Sequence, residues 1–152
     1  MIVGFRMTPN TLVEKIIARV VGQPVHGGIV LSDGTVSQSQ APNGIEHVSA
    51  SVIPDFKDWV LIDVPDALES VMPALMQEEA GCGYDYRAML FGWWIGWASK
   101  NDWYCTEWVS YCVKKGWAAN GILSKLPRKD IWYDPPRLYL ALTALGYPEV
   151  KR

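Results

Sequence analysis

Asn101-Asp102-Trp103-Tyr104-Cys105-Thr106-Glu107-Trp108-Val109 is the stretch whose reading decides the fold, together with Val25-His26-Gly27-Gly28-Ile29-Val30-Leu31. In the first, polar residues suited to capping run directly into an amphipathic segment. Val109, Cys112 and Val113 follow Cys105 at intervals of four, seven and eight, which is helical spacing, so Cys105 falls in a first turn. A thiol there meets unpaired backbone N–H groups and the positive end of the helix dipole, which favour the thiolate. Cys105 is therefore expected to alkylate before the chain's other two cysteines. The second stretch reads as a strand, with a histidine followed by two glycines that admit a close neighbour. A cysteine at a helix start with a sequence-distant histidine is the pattern of cysteine-nucleophile hydrolases.

Outward from these two stretches, local chemistry marks the other elements. Ile2 to Phe5 reads as a short strand; Thr11 and Glu14 have capping-box spacing ahead of Leu12, Ile16, Ile17 and Val20, which repeat at helical intervals up to Gly22. After Pro24 the chain is extended to Leu31, turns at Ser32-Asp33-Gly34 and returns over Thr35 to Gln38 as a hairpin. Further strands are expected at Gly44 to Val48 and Trp59 to Val64. Asp66 and Glu69 suggest a second capping box, opening a helix through Leu68, Val71, Met72, Leu75 and Met76 that Pro73 kinks. Tyr84 to about Ala98 and Tyr104 to Lys115 read as helices, the latter closed by Gly116, and Asp134-Pro135-Pro136 as an N-cap with Pro at the first helical position. The expected class is α+β, a small antiparallel sheet of short strands packed against helices, in a single domain over residues 1–152.

Composition narrows the function. A chain of 152 residues with 49% hydrophobic residues buries a real core, and a net charge of -2 offers no basic surface for nucleic acid. Three cysteines, Cys82, Cys105 and Cys112, form no CxxC pair and suit a reducing compartment. The N-terminal residues lack the pattern of a signal peptide, so synthesis in the cytoplasm is expected, with virion association or release to the cell wall as routes that need no such signal. The most apolar window, Ala88 to Ala98, is about half a bilayer span, so no transmembrane segment is expected. Five of the eight Trp residues fall between Trp93 and Trp108; they are read either as core or as the lining of a substrate groove.

Among the groups able to do chemistry, Cys112 lies on the inward face of its helix and reads as a small buried hydrophobe, and Cys82 as an incidental thiol in a Gly-Cys-Gly turn. His26 is the candidate base. His47, with no small residues around it, reads as a surface or strand-edge histidine. A third group must orient the imidazole, and strand alternation puts Gln38 and Gln40 together on one face of the hairpin's second strand. The histidines and cysteines have no spacing typical of zinc ligands, so neither a metal nor another cofactor is expected.

In order along the chain, Val25 to Gly34, Gly83-Tyr84-Asp85, Tyr104 to Val109 and Asp134-Pro135-Pro136-Arg137-Leu138 resemble the circularly permuted papain-like amidases and peptidases, the branch of the NlpC-like superfamily whose histidine strand precedes its cysteine helix. The likeness covers residues 25 to about 142. It implies a papain-like fold, Cys105 as nucleophile, His26 as base, and the third polar residue twelve positions after the histidine, at Gln38, where the family often has an acid. It also implies that Tyr84, Asp85 and Tyr104 line the substrate cleft and that the Cys105 backbone N–H helps form an oxyanion hole. The implied reaction is hydrolysis of an amide bond in a short or peptidoglycan stem peptide through a thioester, by a thiol peptidase; with no wall-binding module or signal peptide in view, delivery to the cell wall by a bacteriophage or a partner is the expectation. Two alternatives stand beside it: a lipid-directed acyltransferase or thioesterase using the same thiol, and a catalytically silent binding or structural module.

Overall fold

The structure, a computed structural model, describes residues 1–53, 56–89, 99, 101–126 and 133–150. Its elements are α+β, with a six-stranded antiparallel sheet and, among the described residues, four α-helices. The strands β1 (Ile2–Arg6), β2 (His26–Val30), β3 (Thr35–Gln40), β4 (Gly44–Ser49), β5 (Trp59–Asp63) and β8 (Glu149–Val150) are ordered β4-β3-β2-β1-β5-β8. Two short strands, β6 (Gly83–Tyr84) and β7 (Asp102–Trp103), form a separate parallel pair. The helices are α1 (Leu12–Val20), α2 (Met72–Glu78), α3 (Cys105–Ala119) and α4 (Pro135–Ala144).

Both faces of the sheet are covered, which is why every residue of β2 is buried. On one face Val3, Phe5, Ile29 and Ile62 pack with Trp108, Val109, Cys112 and Val113 of α3 and with Leu138 and Leu142 of α4. On the other, Val30, Val36, Trp59 and Leu61 form a smaller cluster. Gly27 sets the spacing to α3: a Cβ there would stand 2.9 Å from Thr106 Cγ2, inside any normal contact. The glycine thus lets the start of α3 lie directly on β2. Trp108, fully buried, donates its Nε1–H to Ser37 Oγ at 3.0 Å, tying α3 to β3 as well.

The hairpin, the α1 cap and the α4 cap form where local chemistry predicts. Thr11 and Glu14 make a reciprocal capping box, and Asp134 Oδ1 accepts from the Arg137 N–H at 2.8 Å. Four expectations are corrected. Asp66 and Glu69 do not cap a helix, because both carboxylates have tertiary partners: Asp66 accepts from Trp117, Tyr147 and Lys125, and Glu69 from the N–H and hydroxyl of Ser32. A single 3-10 turn, Glu69–Val71, leads into α2 instead, and Pro73 stands in its first turn rather than at a kink. Tyr84 is strand, not the start of a helix; most of the helix expected from Tyr84 to Ala98 lies outside the described residues. Gly116 does not end α3, which runs on to Ala119; the missing side chain lets α3 pass the backbone of Leu68, since a Cβ there would lie 3.0 Å from Leu68 N and O.

Of the apolar repeat that identifies α1, only Ile17 is buried. Leu12 is 75% exposed, Ile16 42% and Val20 62%, while Glu14 and Ile17 are buried. A carboxylate is thereby turned into the protein.

Candidate active site

Cys105 is the first residue of α3, and its helix position offers no intrahelical acceptor to its own N–H. The Tyr104 N–H instead points at Glu107 Oε2, 3.5 Å away, so the helix is capped from within its first turn and not by Asn101 or Asp102. Asp102 is in β7, where Oδ1 accepts from the Gly83 N–H at 3.1 Å. The segment before α4 seals this end. The carbonyl of Tyr133 accepts from the Tyr104 hydroxyl at 2.8 Å and from the Thr106 hydroxyl.

The thiol accepts backbone N–H groups from Gly27 and Thr106, which sets it against the His26-Gly27 backbone of β2. These donors, the Thr106 hydroxyl and the Arg6 guanidinium all favour the thiolate, as the helix-start argument expects. Burial outweighs them: Cys105 is wholly buried and its pKa is pushed up to about 11. The expected activated thiolate is therefore corrected; the resting group is a protonated thiol.

His26 opens β2 beside Arg6 of β1, and Arg6 pairs in turn with Trp59 of β5, so the three form a row across the sheet. The His26 ring meets Trp59 edge-on at 5.7 Å, and Arg6 lies over the same indole at 5.8 Å. Burial, then the Arg6 charge, lower the His26 pKa to about 3, against the opposing effect of the hydrogen bond to Gln38. The imidazole is neutral at neutral pH.

Each ring nitrogen has a defined neighbour. His26 Nε2 is 2.8 Å from Gln38 Oε1, and Gln38 Nε2 donates to Glu46 Oε1 at 2.7 Å. On the other side, Nδ1 lies 4.0 Å from Glu14 Oε1, which also forms a buried ion pair with Arg6. The second oxygen of Glu14 accepts from the N–H groups of Asn10 at 2.7 Å and Thr11 at 3.1 Å, the cap of α1. Sequence reasoning missed Arg6 and Glu46 and saw Glu14 only as a cap. The available signals were a charged residue closing an apolar strand and a carboxylate sharing a face of α1 with Ile17.

The structure brings Cys105, the His26-Gly27 backbone and Gln38 to one end of the sheet, while Gln40 lies beside His26 on a small cavity that Glu14, Ala41 and Tyr84 also line. Tyr84 packs on Tyr104 and Cys105 as well, so it borders both thiol and imidazole. Asp85 is committed locally: its carboxylate accepts from the N–H groups of Ala88 at 2.8 Å and Ser99 at 2.5 Å. Burial pushes the Tyr84 and Tyr104 hydroxyls well above the usual phenol range. An open cavity of about 390 Å³ reaches Gln38 from outside, lined by Arg6, Asn10, Gln40, Asn43 and Glu46 among others.

The remaining candidates fall away from this end. Cys112 is buried in the core of α3, Cys82 is half-buried with its thiol 3.3 Å from Glu79 Oε2, and His47 is exposed on the edge strand β4. Of the Trp-rich region, Trp103 and Trp108 pack on each other and on Tyr111; Trp93, Trp94 and Trp97 lie outside the described residues. No helix among the described residues is long and apolar enough to cross a membrane. Compared with known proteins, the chain matches no family model, no curated protein and no solved structure.

Proposed function

We propose that the chain is a cysteine-nucleophile amidase or peptidase of permuted papain-like, NlpC-type architecture, acting on a short peptide of the peptidoglycan stem class. The observation that carries this reading is the hydrogen bond of 2.8 Å between His26 Nε2 and Gln38 Oε1, in a strand whose next residue, Gly27, directs its N–H to the helix-start thiol of Cys105. In the reaction, His26 takes the Cys105 proton as sulfur attacks the amide carbonyl, and returns it to the departing amine. Water then cleaves the thioester. Because thiol and imidazole rest uncharged, proton transfer accompanies attack rather than preceding it. The backbone N–H at the start of α3 stabilises the oxyanion. The carboxamides of Asn10, Gln40 and Asn43 on the open cavity suit the alternating donors and acceptors of a peptide backbone.

The test is turnover of γ-linked and stem peptides, read as released amine. Cys105→Ala and His26→Ala each abolish it in a folded protein, and Gln38→Ala lowers it less. A folded wild-type protein that releases no amine, with Cys105→Ala indistinguishable from it, leaves the silent-module reading in its place.

One observation favours the lipid-directed reading. The exposed Ile16 and Val20 of α1 continue into an apolar groove with Met89, Tyr104 and Pro135, one residue from the thiol. Co-sedimentation with vesicles, lost in Ile16→Ser/Val20→Ser, would move an acyl ester substrate ahead of a peptide.

A further inference from the structure

Glu46 stands directly across the β3–β4 ladder from Gln38, so the two side chains project from the same face of adjacent strands. Its Oε1 accepts from Gln38 Nε2 at 2.7 Å, and its Oε2 lies 3.4 Å from Asn43 Nδ2. An ionised carboxylate has no proton to give, whereas a carboxamide has one end that donates and one that accepts. Glu46 therefore holds the Gln38 amide in one of its two orientations, NH₂ toward Glu46 and oxygen toward His26. Gln38 Oε1, 2.8 Å from His26 Nε2, has only acceptor capacity to offer, so the hydrogen must lie on Nε2.

We propose that Glu46 is a positioning residue that, through Gln38, locks His26 as the Nε2–H tautomer and so leaves Nδ1 as the base. The assignment rests on the hydrolase reading for its purpose but not for its geometry. A glutamine alone does not select a tautomer, because a half-turn of its amide presents NH₂ to the ring and reverses the choice. The carboxylate one strand further out removes that freedom. The other charged groups at the ring are consistent with an unprotonated Nδ1. Glu14 faces it at 4.0 Å without a hydrogen bond in the resting state, and the Arg6 guanidinium, paired with Glu14, disfavours a second proton on the ring. When Nδ1 does take a proton during the reaction, Glu14 is the carboxylate that faces the new charge.

The ring nitrogens of His26 report the tautomer directly in a protein labelled with ¹⁵N-histidine, and the chain has only two histidines, so His47→Gln completes the assignment. In the wild type, Nε2 is expected to carry the hydrogen and Nδ1 to show the shift of an unprotonated nitrogen. Glu46→Gln and Glu46→Ala free the Gln38 amide, and the two nitrogens should then average or exchange their shifts. The swapped pair Gln38→Glu/Glu46→Gln rebuilds the chain with the acceptor still toward His26 and should restore the wild-type spectrum. Turnover in Glu46→Gln should fall about two- to tenfold in kcat with KM little changed, the range allowed by loss of one intramolecular hydrogen bond. A wild-type ring carrying its hydrogen on Nδ1, or a tautomer indifferent to both Glu46 variants, overturns the assignment. A wild-type protein with the expected tautomer and no amide turnover sinks the hydrolase reading instead and leaves the role of Glu46 standing.

Discussion

Glu14 Oε1 lies 4.0 Å from His26 Nδ1 while paired with Arg6, so the N3 glutamate of a helix cap also faces the candidate base. Family resemblance points to Gln38 as the group that orients the ring. Gln38 has no charge of its own. The carboxylates are supplied around it, by Glu14 at one nitrogen and Glu46 behind the amide at the other.

Breaking the Arg6–Glu14 pair from one side is expected to be costly. Glu14→Gln leaves a buried guanidinium without its carboxylate, and Arg6→Met leaves the reverse, each at about 3–5 kcal/mol. The double variant should cost clearly less than the sum, since it removes both charges. Urea denaturation of the four proteins gives the cycle; additive losses would show that the pair carries no coupling.

Stability should decline as acid is added, through His26. Above pH 6.5 the ring is neutral in both states; below it the unfolded ring binds a proton that the folded ring refuses until about pH 3. Folding stability is thus fully present above 6.5 and lost as pH falls toward 3, at a rate approaching about 1.4 kcal/mol per pH unit for one proton. His26→Gln should flatten the slope between pH 6.5 and 5, a window above the ordinary carboxylate range. Denaturation midpoints with equal slopes in both proteins would contradict a buried neutral His26.

Iodoacetamide at neutral pH should label the half-buried Cys82 before Cys105, reversing the order expected from helix position alone. Burial holds Cys105 as a thiol and so slows its alkylation at neutral pH, and Cys112 is buried in the core. Peptide mapping reads the order. Rapid labelling of Cys105 in the folded protein would mean that its burial is not maintained in solution.

Gly27→Ala is expected to destabilise by about 1–3 kcal/mol, because the added Cβ stands 2.9 Å from Thr106 Cγ2 and the start of α3 must retreat from β2. Turnover should fall more than stability, as the thiol loses the Gly27 N–H. Thr106→Ser, combined with Gly27→Ala, removes the clashing methyl and should recover stability. Thermal melts of the single and double variants decide it; no recovery would place the conflict elsewhere.

What was legible in the sequence was what short-range chemistry determines. Ser32-Asp33-Gly34 specifies a turn, Thr11 and Glu14 a cap, and Asp134-Pro135 a helix start, and each forms there. Strand alternation also put Gln38 and Gln40 on one face, and of the two it is Gln38 that bonds to His26. What failed depended on partners far along the chain. Asp66 and Glu69 have cap spacing, but Trp117, Tyr147 and Ser32 take their oxygens. Cys105 has the helix position of an activated thiol, yet the elements packed around it set the opposite direction for its pKa. The Leu12, Ile16, Ile17 and Val20 repeat identifies a helix without saying which side faces inward, and the side that does carries Glu14 together with Ile17.

A carboxylate has two oxygens, and in Glu14 one is held by the first turn of α1 while the other faces the imidazole. Fraying of the helix start and the charge beside Arg6 and His26 are therefore linked through one side chain. Opening the α1 first turn draws the negative charge away from Arg6 and His26, and neutralising that charge in turn loosens the turn. A nine-residue helix is marginal by itself. Its local opening is thus linked to the position of the carboxylate that faces the ring, at a helix whose apolar residues Leu12 and Val20 lie on the outer surface of the protein.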